Sequence, residues 1–436
     1  MAARRSLFRK SVYSNGLTLL TESHKEFRSV SMGAWIKAGT RHERSNETGI
    51  SHFLEHMLFK GTSTRNAFEI ARSIDQVGGD FNAFTAREYT CFHLTLLNRD
   101  VGLGVDILSD IILDSKFDTA EMERERKVIL QEIAMVEESP EELVHDIYFE
   151  LIYGRHGLGK PILGTESSIR RLRRSDLLRY YRKHYRPDQV VISVSGDISH
   201  EQMQRRFRQL GKGQWPGRPK MSKSKKEFGF EPAPAIKKDC WWVKRPSEQV
   251  HIVWGMEGPR YSSRDRFVGL LLNVYLGGGM SSALFQEIRE KNGLAYTVYS
   301  SLSPFIDSGI FSIYVATGMN QIPLCLKLID EAVGRLCKEQ LSEEELDVIK
   351  NNLKGTILLS ADGVESRMSS IAKNDIFLSK YVGVEDICKV IDSIRPADIR
   401  RLVRKMLSKG EKSILVLGPK PSKAVAKKLR PRMLKR

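Results

Sequence analysis

Apolar residues alternate with polar ones in several short stretches of the first half of the chain, and recur every three to four positions in others. Alternation is typical of strands, whereas the longer period is typical of amphipathic helices. An Asn15-Gly16 pair between two apolar stretches also favours a hairpin turn. The pattern predicts a strand-turn-strand at 12–20, a strand at 30–36, helices at 49–59 and 67–77, strands at 80–85 and 89–97, and a long helix at 119–138.

The second half of the chain repeats this order of elements. The pattern predicts a strand at 249–255, helices at 265–276 and 282–291, strands at 295–302 and 309–316, and helices at 342–359 and 363–374. Between the halves, residues 211–227 are rich in Gly, Pro, Ser and Lys and have no apolar period, as in a linker. We therefore predict an α+β fold of two domains of similar topology, 1–210 and 228–436, that arose by duplication.

Composition narrows the class of protein. The chain has 436 residues, of which 41% are hydrophobic and 28% charged, values that exclude a disordered chain. Its net charge of +17 could favour nucleic acid, an anionic membrane or an acidic partner. However, the basic residues are dispersed and no nucleic-acid-binding motif occurs, so we expect no nucleic-acid partner. No apolar run reaches the roughly 18 residues of a membrane span. Five cysteines without a CxxC pair indicate reduced thiols in a cytoplasm-like compartment.

The most informative motif is His52-Phe53-Leu54-Glu55-His56, in the predicted helix at 49–59. His52 and His56 are four residues apart, so both imidazoles leave one face of the helix and can bind one Zn²⁺. Glu55 lies on the same face and can act on a water at that metal. This H-x-x-E-H order is the one found in inverzincins. The alternative is a pair of hydrogen-bonded core histidines.

A catalytic zinc usually has three protein ligands, so a third is expected on a neighbouring element. The helix at 119–138 is predicted to bury Val128, Ile129 and Ile133, and the spacing points Glu132 inward with them. Glu125 lies two turns earlier on the same face. One carboxylate could then bind the metal, here Glu132, while Glu125 supports a histidine ligand. The alternative is a solvated, salt-bridged helix.

The motif, with Glu132 76 residues after His56, resembles the M16 (pitrilysin-type) zinc peptidases, and within them the mitochondrial processing peptidases and their bacterial relatives. Flanking residues match as well: Thr48-Gly49-Ile50-Ser51, Phe59-Lys60-Gly61-Thr62, Gly78-Gly79 with Asn82-Ala83-Phe84-Thr85, and Pro161 to Thr165. The resemblance covers nearly the whole chain, and it implies two homologous, duplicated α/β-sandwich domains that form a clamshell around a zinc site. It implies a zinc endopeptidase that holds one Zn²⁺ per chain and cleaves flexible or unfolded peptides, or processes precursors, with Glu55 as the general base.

The resemblance also implies roles for residues outside the motif. Arg289 and Tyr296 would stabilise the oxyanion, although their types alone equally suit a helix end and a core strand. Asn82, Ala83, Phe84 and Thr85 would form the edge to which a peptide adds as a strand, or else an ordinary interior strand. We expect a homodimer in a bacterial cytoplasm, with the mitochondrial matrix as the alternative. A partner-dependent processing subunit and a non-catalytic structural subunit of the same fold stay open.

Overall fold

The computed structural model describes residues 7–212, 215, 230–407 and 412–434. Most of the predicted linker, 213–214 and 216–227, lies outside the described residues. The chain forms two compact units. The first comprises Met1–Met135, Arg155–Glu231 and Ser360–Val382, and the second Val136–Gly154, Pro232–Leu359 and Gly383–Arg436. None of the helices in the described ranges is long and apolar enough to cross a membrane.

Twelve strands make up the two sheets. They are β1 (Leu7–Val12), β2 (Thr18–Ser23), β3 (Ser29–Ile36), β4 (Asp80–Thr85), β5 (Thr90–Leu97), β6 (Val190–Gly196), β7 (Cys240–Lys244), β8 (Val250–Glu257), β9 (Ala295–Pro304), β10 (Gly309–Thr317), β11 (Ser413–Gly418) and β12 (Arg432–Leu434). The predicted N-terminal hairpin is confirmed, because β1 pairs with β2 antiparallel. All the other predicted strands are also present, with ends shifted by at most two residues.

Sixteen α-helices occur in the described residues. They are α1 (Ile50–Leu58), α2 (Ala67–Asp75), α3 (Val101–Asp114), α4 (Thr119–Glu138), α5 (Pro140–Tyr153), α6 (Glu166–Arg171), α7 (Arg174–His184), α8 (His200–Arg206), α9 (Arg208–Lys212), α10 (Asp265–Gly277), α11 (Ile322–Lys338), α12 (Glu343–Ala361), α13 (Val364–Leu378), α14 (Val384–Asp392), α15 (Pro396–Leu407) and α16 (Lys423–Leu429). The helix predicted at 282–291 is instead a π-helical segment, Phe285–Lys291, a rare form that often occurs at functional sites.

Five strands of each sheet follow the same order, which confirms the α+β class and the duplication, whereas the outer strand differs: β1 pairs antiparallel with β2, and β12, from the end of the chain, pairs parallel with β7. In the first unit the order is β1-β2-β6-β3-β5-β4, and in the second it is β12-β7-β11-β8-β10-β9. The pairs β2–β6 and β7–β11 are parallel, and the strands that follow them in each sheet pair antiparallel. In the first unit, β4 therefore lies at the edge of the sheet, and it pairs antiparallel with β5.

The units differ from the predicted continuous halves, 1–210 and 228–436, by an exchange of helices. Residues 136–154, which contain α5, belong to the second unit, where α5 packs on β8 and β11. Conversely, α13 belongs to the first unit and packs on β2, β3 and β6. Each sheet has two faces to cover, and periodicity shows that a helix has an apolar side without showing which sheet buries it.

Candidate metal centre

The helix α1 carries His52, Glu55 and His56, and its start is fixed by two local features. Gly49 precedes it with φ +88°, and a Cβ atom there would lie 2.7 Å from Ile169 Cδ1, so only glycine fits without strain. The Glu43 carboxylate accepts hydrogen bonds from the backbone N–H groups of Gly49 and Ser51, at 3.0 and 2.9 Å. Because the first N–H groups of a helix lack partners within it, Glu43 stabilises this end.

The helix α4 carries the two acidic candidates, Glu125 and Glu132. Ile129 and Ile133 are buried, as predicted, but Val128 is 38% exposed, so the prediction that it is buried was wrong. Val128 lies one position before Ile129, about 100° around the helix, and therefore at the border of the buried stripe. The Glu125 side chain is 8% exposed and that of Glu132 is 35% exposed.

Three donor atoms converge between α1 and α4. His52 Nε2 lies 3.7 Å from Glu132 Oε2, and His56 Nε2 lies 3.6 Å from the same oxygen. In the described residues, His52, His56 and Glu132 each offer one potential ligand atom, and these three atoms all lie within 4.8 Å of one another. Two ligands on a tetrahedral zinc with bonds of about 2.0–2.1 Å are separated by about 3.4 Å. The spacing therefore suits a zinc ion.

The chemistry of the donors also suits a metal. Glu132 Oε2 is buried and makes no hydrogen bond within the part of the chain that the structure describes, which is costly unless another group binds it. Burial, together with the charge of His56, lowers the pKa of His52 to about 3, so this imidazole is neutral, as a metal ligand must be. The residues present thus fit Zn²⁺.

Glu125 is hydrogen-bonded to the ring nitrogen of His56 that does not face Glu132. Its Oε2 lies 3.0 Å from His56 Nδ1, and its Oε1 forms an ion pair with Lys60 Nζ at 2.7 Å. Burial opposes ionisation of Glu125, but the bonds to His56 and Lys60 outweigh it and lower its pKa. Burial likewise opposes the charged form of His56, whereas Glu125, Glu132 and Glu55 raise its pKa above the usual value. A carboxylate on Nδ1 leaves Nε2 oriented toward Glu132.

Glu55 lies beside the donors and contacts the edge strand. It is 8% exposed, and its Oε2 accepts a hydrogen bond from Thr85 Oγ1 of β4. Burial raises its pKa, an effect that the Thr85 hydroxyl and His56 only partly offset. A carboxylate with a raised pKa is suited to take up and return a proton near neutral pH.

The predicted peptide-binding residues Asn82, Ala83, Phe84 and Thr85 belong to β4. In the described residues, β4 pairs with β5 on one side and ends the sheet on the other, so a further strand could add to its outer edge. The structure thus brings Thr85 to Glu55 and places all four residues on a sheet edge.

Arg289 and Tyr296 lie together in the second unit. The Arg289 guanidinium lies 4.3 Å from the centroid of the Tyr296 ring, and its Nη1 donates to the Tyr296 carbonyl at 3.1 Å. Tyr296 is 73% exposed, so it is not the buried core aromatic of the alternative interpretation. The two side chains form an exposed cation–π pair.

Three residues that support the site were not predicted from the sequence. They are Glu43, which caps α1, Lys60, which pairs with Glu125, and the Thr85 hydroxyl, which contacts Glu55. Lys60 could have been predicted, because it follows His56 by four residues and would therefore lie on the same face of a continued helix. The Thr85 contact carries no local signal, since β4 and α1 meet only in the fold. Glu43 is only six residues before Gly49, but the segment between them is neither helix nor strand, so no period indicates where its side chain points.

Comparison with known proteins agrees with this geometry. The sequence model "Insulinase (Peptidase family M16)" matches residues 18–166, and "Peptidase M16 inactive domain" matches residues 171–353. An uncharacterized zinc protease of Bacillus subtilis is 37% identical over 402 residues, which cover 92% of this chain and 96% of that protein. A similarly named zinc protease of Mycobacterium leprae is 36% identical, over 97% of this chain and 94% of its own.

Among solved structures, a protease from Helicobacter pylori superimposes with a TM-score of 0.85 at 20% identity, over 95% of this chain and 100% of that one. At such low identity the likeness shows a shared fold. The matched family models and the zinc proteases similar over nearly the full chain go further: this protein belongs to peptidase family M16, and it is a zinc protease of that family.

Proposed function

We propose that the protein is a zinc-dependent endopeptidase that cleaves flexible or unfolded peptides, with one Zn²⁺ per chain held by His52, His56 and Glu132. The observation that carries the proposal is the convergence of these donors around the buried Glu132 Oε2, which has no hydrogen bond in the described residues, beside the carboxylate of Glu55. A zinc ion bound there supplies Lewis-acid activation of water and of the peptide carbonyl.

The chain's own residues carry the proton transfers. Glu55 takes a proton from the attacking water at its carboxylate and later returns it to the leaving amine. Thr85 holds Glu55 by donating to Oε2, which orients the other oxygen. Glu125 orients the His56 ring through Nδ1.

The edge of β4 offers a general way to bind a peptide. A peptide strand added beside Asn82–Thr85 would be held by backbone hydrogen bonds, which tolerate many sequences, and would pass Glu55 at Thr85. A folded protein has few free strands to offer, so flexible chains are favoured.

Tyr296 and Arg289 are proposed to stabilise the negative charge that forms on the carbonyl oxygen. This role rests on the family resemblance and on their exposed, paired arrangement in the second unit. A phenolic hydroxyl and a guanidinium are both suited to it, because each donates a hydrogen bond to an oxyanion.

The decisive experiment is the Glu55→Gln variant, assayed with a quenched-fluorescence peptide and by zinc analysis. We expect it to keep zinc and to lose cleavage, because the amide is nearly isosteric but cannot accept the proton. Glu123→Gln, at an exposed position of α4, is the matched control and should retain both. If Glu55→Gln cleaves as fast as the wild type, the proposed role is wrong. Zinc binding without cleavage by the wild type would favour a non-catalytic or partner-dependent subunit.

We further propose a homodimer in the bacterial cytoplasm. The similar zinc proteases of Bacillus subtilis and Mycobacterium leprae are bacterial, and all five cysteines are free, as expected in a reducing compartment. Light scattering coupled to size-exclusion chromatography tests the dimer: a mass near 49.7 kDa would refute it, and twice that value would support it.

A further inference from the structure

We propose that the second unit carries a binding site for a long-chain fatty acid anion, in a cavity along α11 that the C-terminal helix α16 helps to enclose. Its acyl chain would cover an apolar floor, and its carboxylate would bind Lys338 and Lys428. The metal centre belongs to the first unit, so the site is a separate one. It assigns a role to the basic C-terminal segment, which takes no part in the proposed function.

The cavity is of a suitable size and shape. Its volume is about 770 Å³, within the range of small-molecule sites. One wall is a single face of α11, whose lining positions from Pro323 to Lys338 recur every three or four residues. These two residues are about 22 Å apart along the helix axis, at 1.5 Å per residue. A long acyl chain extends about 15 Å, half of the hydrocarbon core of a bilayer, so one chain fits.

The floor of the cavity is apolar. Ile414 of β11 is directly beside Cys240 of β7 in the parallel register, and both line the cavity with Leu429 of α16. Leu326 of α11 also lines it and belongs to the core of the second unit. Burial, together with the charge of Asp239, raises the pKa of Cys240 to about 11, so its thiol is uncharged. An acyl chain would gain by covering this surface.

Gly334 opens the middle of the α11 wall. A Cβ atom at this position would meet no heavy atom of the described residues within 4 Å, so no packing contact in them requires a glycine. Glycine in the interior of a helix is less stable than alanine. A ligand that lies against the helix backbone at Gly334 would account for this residue.

The charges around the cavity favour an anionic head group. Five cations line it against three carboxylates, and each carboxylate already pairs with a cation: Asp330 with Lys412, Glu331 with Lys327, and Glu339 with Arg335. The two remaining cations, Lys338 and Lys428, make no hydrogen bond or ion pair within the described residues. A carboxylate head can therefore bind these ammonium groups by charge-assisted hydrogen bonds.

The test measures how fast N-ethylmaleimide labels Cys240 in the zinc-loaded full chain, by peptide mass spectrometry, as dodecanoate is added. We expect protection of Cys240 with a Kd of about 0.1 mM, near the low end of the efficiency of small ligands. Cys388 of α14 is also half-buried but does not line the cavity, so its labelling should not change. Dodecyltrimethylammonium, a cation with the same chain, should protect at least tenfold less well. Protection of neither cysteine, or of both equally, would refute the site.

Variants test the head group and the cavity separately. Lys338→Gln/Lys428→Gln should raise the Kd of dodecanoate about tenfold, as expected for the loss of two partly exposed ion pairs. Lys380→Gln/Lys389→Gln removes the same charge outside the cavity and should leave the Kd unchanged. Gly334→Leu places a side chain in the cavity and should abolish protection. If that variant does not fold, the two lysine pairs decide the matter, because equal Kd values in both would refute the site.

Two further measurements distinguish other occupants. Vesicles of phosphatidylglycerol that protect Cys240 where dodecanoate does not would indicate a membrane surface and refute the proposal. Protection that increases with protein concentration alone would show that a second copy covers the cavity, and would refute it as well. None of these readouts depends on peptide cleavage, so a failure of the proposed function would leave them unaffected.

Discussion

The buried carboxylate of Glu43 provides a test of what fixes the start of the metal-binding helix. Burial raises its pKa to about 7, against an ordinary value of 4.5, although the N–H groups of Gly49 and Ser51 and the charge of Lys160 favour its ionised form. The unfolded chain therefore releases this proton at a lower pH than the folded chain. Between pH 4.5 and 7 the folded state binds more protons, so the free energy of unfolding falls as the pH rises.

The magnitude follows from the two pKa values. At 1.36 kcal/mol per pKa unit, the difference between 4.5 and about 7 corresponds to about 3 kcal/mol. The Glu43→Gln variant does not titrate at this position. The stability of the wild type minus that of the variant should therefore decrease by about 3 kcal/mol from pH 4.5 to above pH 7, and stay constant beyond that.

Urea denaturation of both proteins from pH 4 to 8, with a chelator present so that metal binding does not contribute, measures this difference. Hydrogen exchange of the peptide that covers residues 43–58 locates the effect at α1. A pH-independent difference would refute the reasoning, because it would mean that the two amides and Lys160 balance the effect of burial and leave the pKa of Glu43 equal in the folded and unfolded chains. A difference that rises with pH would mean that they lower its pKa.

Three other perturbations test the site and its support. Glu125→Gln should weaken zinc binding about 10- to 100-fold, because His56 loses the carboxylate on Nδ1. A competition titration with a chromophoric chelator measures the zinc affinity, and an unchanged affinity would contradict the role of Glu125 in orienting His56. Gly49→Ala should destabilise the protein by about 3 kcal/mol, because an alanine at φ +88° is strained and its Cβ overlaps Ile169; an unchanged urea midpoint would contradict this. Tyr296→Phe should lower kcat about 100-fold with little change in KM, since the ring and its contact with Arg289 remain while the hydroxyl is lost; equal kcat would exclude the hydroxyl from catalysis.

Much of the site could be predicted from sequence because helix geometry is local. The spacing of His52, Glu55 and His56 fixes which side chains share a face once the segment is helical, and the apolar residues around them make that helix buried. Glu132 was found by the same reasoning, from its spacing to Ile129 and Ile133. The repeated order of strands and helices similarly predicted two sheets, which share the order of five strands and differ in the outer one.

The tertiary structure decided what meets across long separations. Thr85 reaches Glu55, and α13 is buried on the first sheet, although it lies in the second half of the chain. The basic C-terminal segment also forms α16 and β12, and β12 pairs with β7. Periodicity specifies which face of an element is apolar, but the partner of that face depends on how the whole core packs. The sequence by itself therefore determined which side chains share a helix face and could bind a metal, and only the fold determined that His52, His56 and Glu132 converge and what holds them in place.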